Sequence, residues 1–354
     1  MDENHQDAAG SKLIATDNKL WIPPLSTKDQ KKLDHLRKKP FAQRMGFASK
    51  TPWDFIQLLL IPLVLAGVGY WFGFTQTQIS LQSSQKQHDT DIQITAEQQQ
   101  EAILQTYLDR MSDLLLTSRL RESNPGDEVR YVARARTLTA LLRLNADRKR
   151  SVIRFLYEAG LIEEKNVVVR LNNADLSKAD LHDFTLRNAN LSQADMRESN
   201  LSKADLIGSD LSGVNLSRAN LNETYLTNAD LYEADLSKAN LGVAFLRGAD
   251  LYQAGLYQAD LSFATLDNTN LQGATLDDTD LQGAGLTNAN LRDASLQKAK
   301  LFVADLSGAD LRGADLSGAI LTNANLYRAK VTQEQLGKTK SLEGTTMPNG
   351  SKHP

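Results

Sequence analysis

The sequence of 354 residues carries a net charge of −3 and has room for two or three structural units. It contains no cysteine, which excludes disulfides, thiolate catalysis and cysteine-based zinc sites. The five histidines are scattered and do not form a metal-binding pattern. No metal, cofactor or catalytic residue is therefore predicted.

Residues 1–52 are predicted to form a flexible, basic, cytoplasmic tail. The segment contains several prolines and many charged residues, and it shows little helical or strand periodicity. The basic residues of the cluster at 31–50, just before the next element, are Lys31, Lys32, Arg37, Lys38, Lys39, Arg44 and Lys50. The simpler interpretation is that they set membrane topology, and contact with anionic lipid is the alternative.

A transmembrane helix is predicted over Trp53–Phe74. From Phe55 onward its only strongly polar side chain is Gln57, and twenty such residues match the hydrocarbon thickness of a bilayer. The alternative is a buried core helix. The first basic residue after this segment is Lys86, so positive charge is concentrated before it. The positive-inside rule then predicts an integral, single-pass membrane protein with a cytoplasmic N-terminus and a periplasmic or lumenal C-terminal region.

Residues 75–96 are polar and rich in glutamine, which indicates a linker. Residues 97–165 are predicted to form a small helical bundle, since Leu104, Leu108 and Met111 follow helical spacing. We expect this bundle to cap the element that follows. Its many arginines form either a nucleic-acid or lipid surface or a solvated helix face, and the scarcity of interleaved aromatic residues favours the solvated face.

Residues 166–336 are dominated by a large aliphatic residue at every fifth position. The series runs from Leu171 to Leu326, and 31 of its 32 positions are leucine, the other being Met196. A period of five defines neither one face of a helix nor one face of a strand. All of these side chains point inward only if the chain turns the same way once per repeat, which predicts a solenoid.

The repeats resemble those of the pentapeptide-repeat proteins. The run Ala-Asp-Leu-Ser-Lys-Ala-Asp-Leu at 174–181 carries the resemblance, as does Gly-Ala-Asp-Leu-Arg-Gly-Ala-Asp-Leu at 308–316. The resemblance implies an all-β solenoid, a right-handed quadrilateral β-helix with four repeats per coil and about eight coils. The stretch at 147–162 and the C-terminal tail also resemble membrane-anchored bacterial members of the family, many of them cyanobacterial.

Both ends of such a solenoid need caps, because a bare end exposes leucine and unpaired backbone. Phe184 breaks the small-residue rule in the first coil and is interpreted as filling that end. Thr332–Leu336 is predicted to be a short capping helix with Thr332 as its N-cap. Residues 337–354 are predicted to be a polar, extended tail.

The outward-facing positions supply two candidate partner surfaces. Asp or Asn fills 21 of the 32 positions just before the ladder residue, where turn chemistry and stacked hydrogen bonds are expected. Aromatic residues interrupt this rule in the middle coils, either to bind a partner or only to stabilise the stack. The candidate aromatic patch consists of Tyr225, Tyr232, Phe245, Tyr252 and Tyr257. A second, basic candidate patch consists of Arg292, Lys298, Lys300, Arg312, Arg328 and Lys330.

The sequence contains no phosphate-binding glycine loop and no hydrolase or metalloprotease motif. We therefore predict a non-catalytic, membrane-anchored scaffold or protein–protein interaction module whose protein partner is unknown, with homodimerisation left open. The alternative is a DNA mimic that binds a topoisomerase or another nucleic-acid-binding protein. Residues 171–330 hold 21 acidic and 13 basic side chains, a net charge of −8 that is far below the charge density of a duplex. Nucleic acid itself is an unexpected partner.

Overall fold

The computed structural model describes residues 26–38, 51–162 and 167–354. Two compact units divide the chain, Met1–Asp89 and Thr90–Pro354. Most of the predicted flexible tail, at 1–25 and 39–50, lies outside the described residues.

Within the tail, Thr27–Arg37 forms helix α1, which the sequence analysis did not predict. Asp29 lies in its first turn, and His35 and Arg37 lie in its last turn. Both placements favour the helix, because they set negative charge near its N-terminus and basic side chains near its C-terminus.

Helix α2 extends over Pro52–Leu116 and contains the predicted span Trp53–Phe74. Among the described residues it is the one helix that is long and apolar enough to cross a membrane, and its apolar stretch is fully exposed. The predicted polar linker at 75–96 is wrong, because the helix continues through it. This stretch holds no Gly or Pro to end a helix, and glutamine has good helix propensity.

Two further helices of the second unit are α3, Glu128–Arg143, and α4, Ala146–Glu158, preceded by a single 3₁₀ turn at Leu120–Glu122. The Asn145 side chain caps α4 by accepting a hydrogen bond from the Arg148 N–H. The buried apolar side chains of these helices belong to the same core as the first coil of the repeats.

Helix α4 contacts the first coil through charged and aromatic side chains. The buried Lys149 ammonium lies 2.7 Å from Asp175 Oδ1 and donates to the Ser177 carbonyl at 3.1 Å. The Phe184 ring meets the Tyr157 ring edge-on at 6.3 Å between centroids. These contacts close the N-terminal end of the coils, which is the role expected of Phe184.

The repeats form coils of 20 residues joined by parallel β-bridges between residues 20 apart. We number the four sides of a coil by their bridge residues in the first coil, namely Asp175, Asp180, Thr185 and Asn190. Each side contributes one bridge rather than a strand, because turns separate bridge residues only five positions apart. The solenoid therefore has the predicted four repeats per coil, although the described residues contain no extended strand.

Every repeat ends in a tight turn, closed for example by the Ala174 N–H donating to the Leu171 carbonyl at 3.0 Å. The third residue of all 32 turns has positive φ, yet only eight of these residues are glycine. Most of the others are polar, as at Asn173 and Lys178. Asn is well suited to this left-handed conformation, whereas β-branched and bulky residues are rare there.

The interior is filled by the ladder leucines and the small residues, which are almost fully buried. Polar exceptions in the small position are satisfied by the backbone. Thr224 donates its hydroxyl to the Leu201 carbonyl at 2.7 Å, and Ser199 donates to the Met196 carbonyl at 2.7 Å. Among the described residues no buried side-chain nitrogen or oxygen lacks a partner.

The C-terminal cap begins with helix α5, Gln333–Leu336. Thr332 and Gln335 form a reciprocal capping box, as predicted for the N-cap. The predicted extended tail at 337–354 is wrong, because this segment adds part of a further coil. It pairs with the preceding coil at Ser341 and Thr346, and the Thr345 side chain is buried.

Candidate interaction surfaces of the solenoid

The bridge carboxylates and amides stabilise the coils rather than forming an open acidic site. Asp175 Oδ1 accepts hydrogen bonds from the backbone N–H and hydroxyl of Ser177, two residues later. On the second side, Asn200 donates to Asp180 at 2.9 Å, and Asn220 donates to Asn200 at 3.1 Å. The local bonds are Asx turns and the others form a ladder between coils, so both expected roles are confirmed.

The aromatic residues form two stacked pairs. The Tyr225 and Phe245 rings lie 5.0 Å apart at an interplanar angle of 7°. The Tyr232 and Tyr252 rings lie 5.6 Å apart at the same angle. The one-coil spacing of 20 residues therefore stacks these side chains as the sequence suggested.

The five aromatic residues do not share one face of the solenoid. Tyr225 and Phe245 lie on the third side, in its column of bridges. Tyr232 and Tyr252 lie in turns between the fourth and first sides, and Tyr257 lies in the turn that follows the first side. A single contiguous patch is thus not what the fold produces, because successive sides face different directions.

An apolar stripe that the sequence analysis missed extends the Tyr225–Phe245 pair. Its further members are Val243, Phe263 and Val303, which occupy the third turn position just before the third side. The exposed fractions of the five side chains range from 37% to 56%. The signal in the sequence was a 20-residue spacing of apolar residues at a position otherwise held by polar residues or glycine.

The stripe lies on the least charged part of the repeats. Within the third-side repeats at 241–245, 261–265 and 281–285 there is no charged residue. A Cβ atom placed on Gly283 would lie 2.7 Å from the Phe263 ring, so this ring lies over the glycine and along the stripe. The surface around Phe263 is consequently apolar, and the Asp267 carboxylate borders it, 3.5 Å from a Cβ atom placed on Gly285.

Three of the six residues of the basic candidate patch are paired with neighbouring carboxylates. Lys300 pairs with Asp280 at 3.1 Å, while Arg312 and Lys330 share Asp310 at 2.5 and 3.5 Å. The hydrogen bond from Arg312 holds the pKa of Asp310 far below its usual value, despite partial burial.

The other members of this patch lie apart from that cluster. Arg328 lies over the Tyr327 ring, 5.0 Å from its centroid. Arg292 and Lys298 occupy turns at two different corners of one coil. The six residues do not form one uncompensated positive surface.

A cavity beside α3 is lined by Arg130, Tyr131, Arg134 and Arg170. Two of these arginines are engaged by the backbone, since Arg130 donates to the Val167 carbonyl and Arg134 to the Asn172 carbonyl. No cluster of potential metal ligands occurs in the part of the chain that the structure describes.

Comparison with known proteins agrees with the repeat geometry. The family model for pentapeptide repeats matches eight copies between residues 174 and 333. HetL, a pentapeptide repeat protein involved in heterocyst differentiation regulation in the cyanobacterium Nostoc sp. strain PCC 7120, is 35% identical. That match covers 57% of this chain and 98% of HetL, with a TM-score of 0.31. No curated protein sequence matches the chain.

Two other solved structures are among those that match the chain. Rfr23 from the cyanobacterium Cyanothece 51142 is 41% identical over 26% of this chain and 60% of its own, with a TM-score of 0.16. QnrB1, a plasmid-mediated fluoroquinolone resistance protein, is 23% identical over 51% of this chain and 90% of its own, with a TM-score of 0.47. The chain belongs to the pentapeptide-repeat family, whose fold is a right-handed β-helix.

Proposed function

We propose that this protein is a non-catalytic, single-pass membrane protein that presents its solenoid as a protein-interaction module. The proposal rests on one observation, which is that two features occur together in one chain. One is a fully exposed apolar helix of membrane-spanning length, and the other is a regular solenoid whose coils are joined by parallel bridges around a buried ladder of leucines.

The helix supports an anchor because its exposed leucine side chains, such as Leu60 and Leu63, would otherwise face water. A buried core helix would cover these residues, whereas lipid covers them without a protein partner. The distribution of basic residues supports a cytoplasmic N-terminus with the solenoid on the far side. The partner of the solenoid is then a protein of the periplasm or of a lumen.

The anchor is tested by alkaline carbonate extraction of membranes from cells that make the full chain. We expect the wild-type protein to stay with the membrane pellet. The double variant Leu60→Arg, Leu63→Arg should appear in the supernatant, because each arginine at mid-membrane depth costs about 2.5–3.5 kcal/mol. Wild-type protein in the supernatant would contradict the anchor.

The DNA-mimic alternative has less support. The net charge of −8 over residues 171–330 falls short of roughly 24 charges that a duplex carries over the ~40 Å length of eight coils. The ladder and ion-pair contacts engage many of these carboxylates within the solenoid itself. Titration against a type II topoisomerase supercoiling reaction should therefore leave the reaction rate unchanged, whereas inhibition at micromolar protein would favour the mimic.

A further inference from the structure

The apolar stripe defined above consists of Tyr225, Val243, Phe245, Phe263 and Val303, and three of its members combine a strained backbone conformation with exposed side chains. Val243, Phe263 and Val303 have φ values of 58°, 57° and 49°. The left-handed region costs an L-residue about 1–2 kcal/mol, and a β-branched side chain is an outlier there. The chain uses Asn or Gly at many equivalent turns, so strained and exposed apolar residues here point to a use outside folding.

We propose that the apolar stripe is the docking surface for an amphipathic helix of a partner protein, lying along the solenoid axis. This inference rests on the proposed interaction function and names its site and the chemistry of the partner. Three features of the stripe select this occupant.

The first feature is size. Tyr225 and Val303 are four coils apart, which gives the stripe a length of ~19 Å at ~4.8 Å per coil. The extended backbone on one side of a coil gives the stripe a width of ~10 Å. The resulting area of roughly 200 Å² is well short of the ~800 Å² per partner of a stable interface between two rigid proteins. A helix of about 13 residues, rising 1.5 Å per residue, matches the length.

The second feature is the state of the backbone. The N–H groups of Tyr225, Val243 and Phe245 already donate to carbonyl groups of neighbouring coils. An extended peptide would find no free N–H group among these residues and would leave its own polar backbone unpaired over an apolar surface. A helix satisfies its backbone internally and presents only side chains.

The third feature is charge. Glu223 and Asp305 lie only in the two end repeats of the stripe, and the three repeats between them lack charged residues, so an acidic or basic partner surface would lose hydration over this centre without gaining an ion pair. The helix face that contacts the stripe should therefore carry uncharged, apolar residues at positions i, i+3 or i+4, and i+7. Its opposite face remains polar and solvated.

The proposal is tested first by photo-crosslinking in the cells that naturally make the protein. A benzophenone amino acid replaces Phe263 in the full-length chain, and the matched control places it at Gln258, an exposed turn residue of the same coil. We expect an adduct from position 263 and none from 258, with the attached peptide showing apolar residues at helical spacing. That peptide is then synthesised as the binding probe.

Binding of the synthetic peptide is measured with the full chain in detergent micelles. The triple variant Val243→Asn, Phe263→Asn, Val303→Asn should weaken binding at least about 30-fold, since each anchor contributes a factor of several. The matched control Lys238→Asn, Gln258→Asn, Lys298→Asn alters the same coils at another corner and should bind as the wild type does. The unfolding midpoint of the stripe variant should be unchanged or higher, because Asn suits positive φ.

Four results would overturn the proposal. They are the absence of any adduct at 263, an adduct with lipid, an adduct with a second copy of the chain, and a peptide that binds wild type and stripe variant equally. An adduct at 258 alone would overturn the stripe while leaving the interaction module standing. Carbonate extraction tests the membrane anchor separately. An anchor that fails this test would therefore leave the crosslinking result unchanged.

Discussion

Exchanging side chains between two turns would measure the conformational strain in the apolar stripe. Val243 and Asn268 hold the same turn position on different sides of adjacent coils, both are exposed, and their φ values are 58° and 57°. Val243→Asn should stabilise the protein by about 1 kcal/mol, and Asn268→Val should destabilise it by a similar amount. For a unit of this size, each kcal/mol corresponds to about 2–4 °C in melting temperature.

The assay is thermal unfolding of the full chain in detergent, followed by circular dichroism and repeated in guanidinium because repeat proteins can unfold in steps. The two variants should differ by about 2 kcal/mol, with the wild type between them. If Val243→Asn is neutral or destabilising, contacts within the folded chain compensate the valine. The backbone conformation of Val243 would then need no external partner to account for it.

Three further predictions concern the core and the two caps. Leu256→Ala should cost about 2–5 kcal/mol in unfolding free energy, whereas Met196→Leu should cost less than about 1.5 kcal/mol, as measured by denaturant midpoints. Lys149→Met should destabilise the first coil by roughly 1–3 kcal/mol at neutral pH, read by hydrogen exchange. Partial burial raises the pKa of Asp175, but hydrogen bonds from Lys149 and from the following turn outweigh it and hold the pKa below its usual value. The stability from this pair is present above the unfolded pKa and lost as pH falls through the lower folded pKa, so the difference between variant and wild type should shrink below about pH 4. Deleting 341–354 should raise amide exchange in the last full coil, and unchanged protection would contradict the cap.

The repeat geometry could be predicted from sequence because one rule fixes it. A ladder residue every five positions determines which side chains face inward, and a four-sided coil places residues 20 apart in contact. The stacking of Tyr225 on Phe245 follows directly from that spacing. The predicted contiguity of the aromatic patch conflicts with the same rule, because Tyr225 and Tyr232 are seven residues apart and therefore lie on different sides of the coil.

The ends and the linker were harder to predict because they lack the repeat. Residues 75–96 are polar enough for a linker, yet they contain no helix breaker and continue α2. The segment at 341–354 loses the ladder pattern while keeping the backbone pairing, with Thr345 in the buried position. The spacing there grows from 20 to 21 residues, as in the bridge from Ile320 to Ser341, which hides the repeat from a periodicity search.

The apolar stripe was overlooked for a different reason. Valine or phenylalanine at a variable turn position is unremarkable when one repeat is read alone. Only the positive φ at Val243, Phe263 and Val303, together with their alignment before the third side, makes the pattern unusual. The alignment of these three residues in one column can be read from the sequence once the coil length is known. Their strained backbone conformation is visible only in the structure.

The measurement that tests the account most directly is the membrane orientation of single introduced cysteines. The chain has no cysteine, so Lys28→Cys and Glu343→Cys each provide one thiol without background, at exposed sites on either side of α2 in sequence. A membrane-impermeant maleimide applied to sealed vesicles of the native membrane with the cytoplasmic face outward should label Lys28→Cys and leave Glu343→Cys unlabelled until the membrane is permeabilised, and vesicles of the opposite orientation should give the reverse. Labelling of both sites from the same face, or of Glu343→Cys alone from the cytoplasmic face, would contradict an anchored module that presents its solenoid across the membrane.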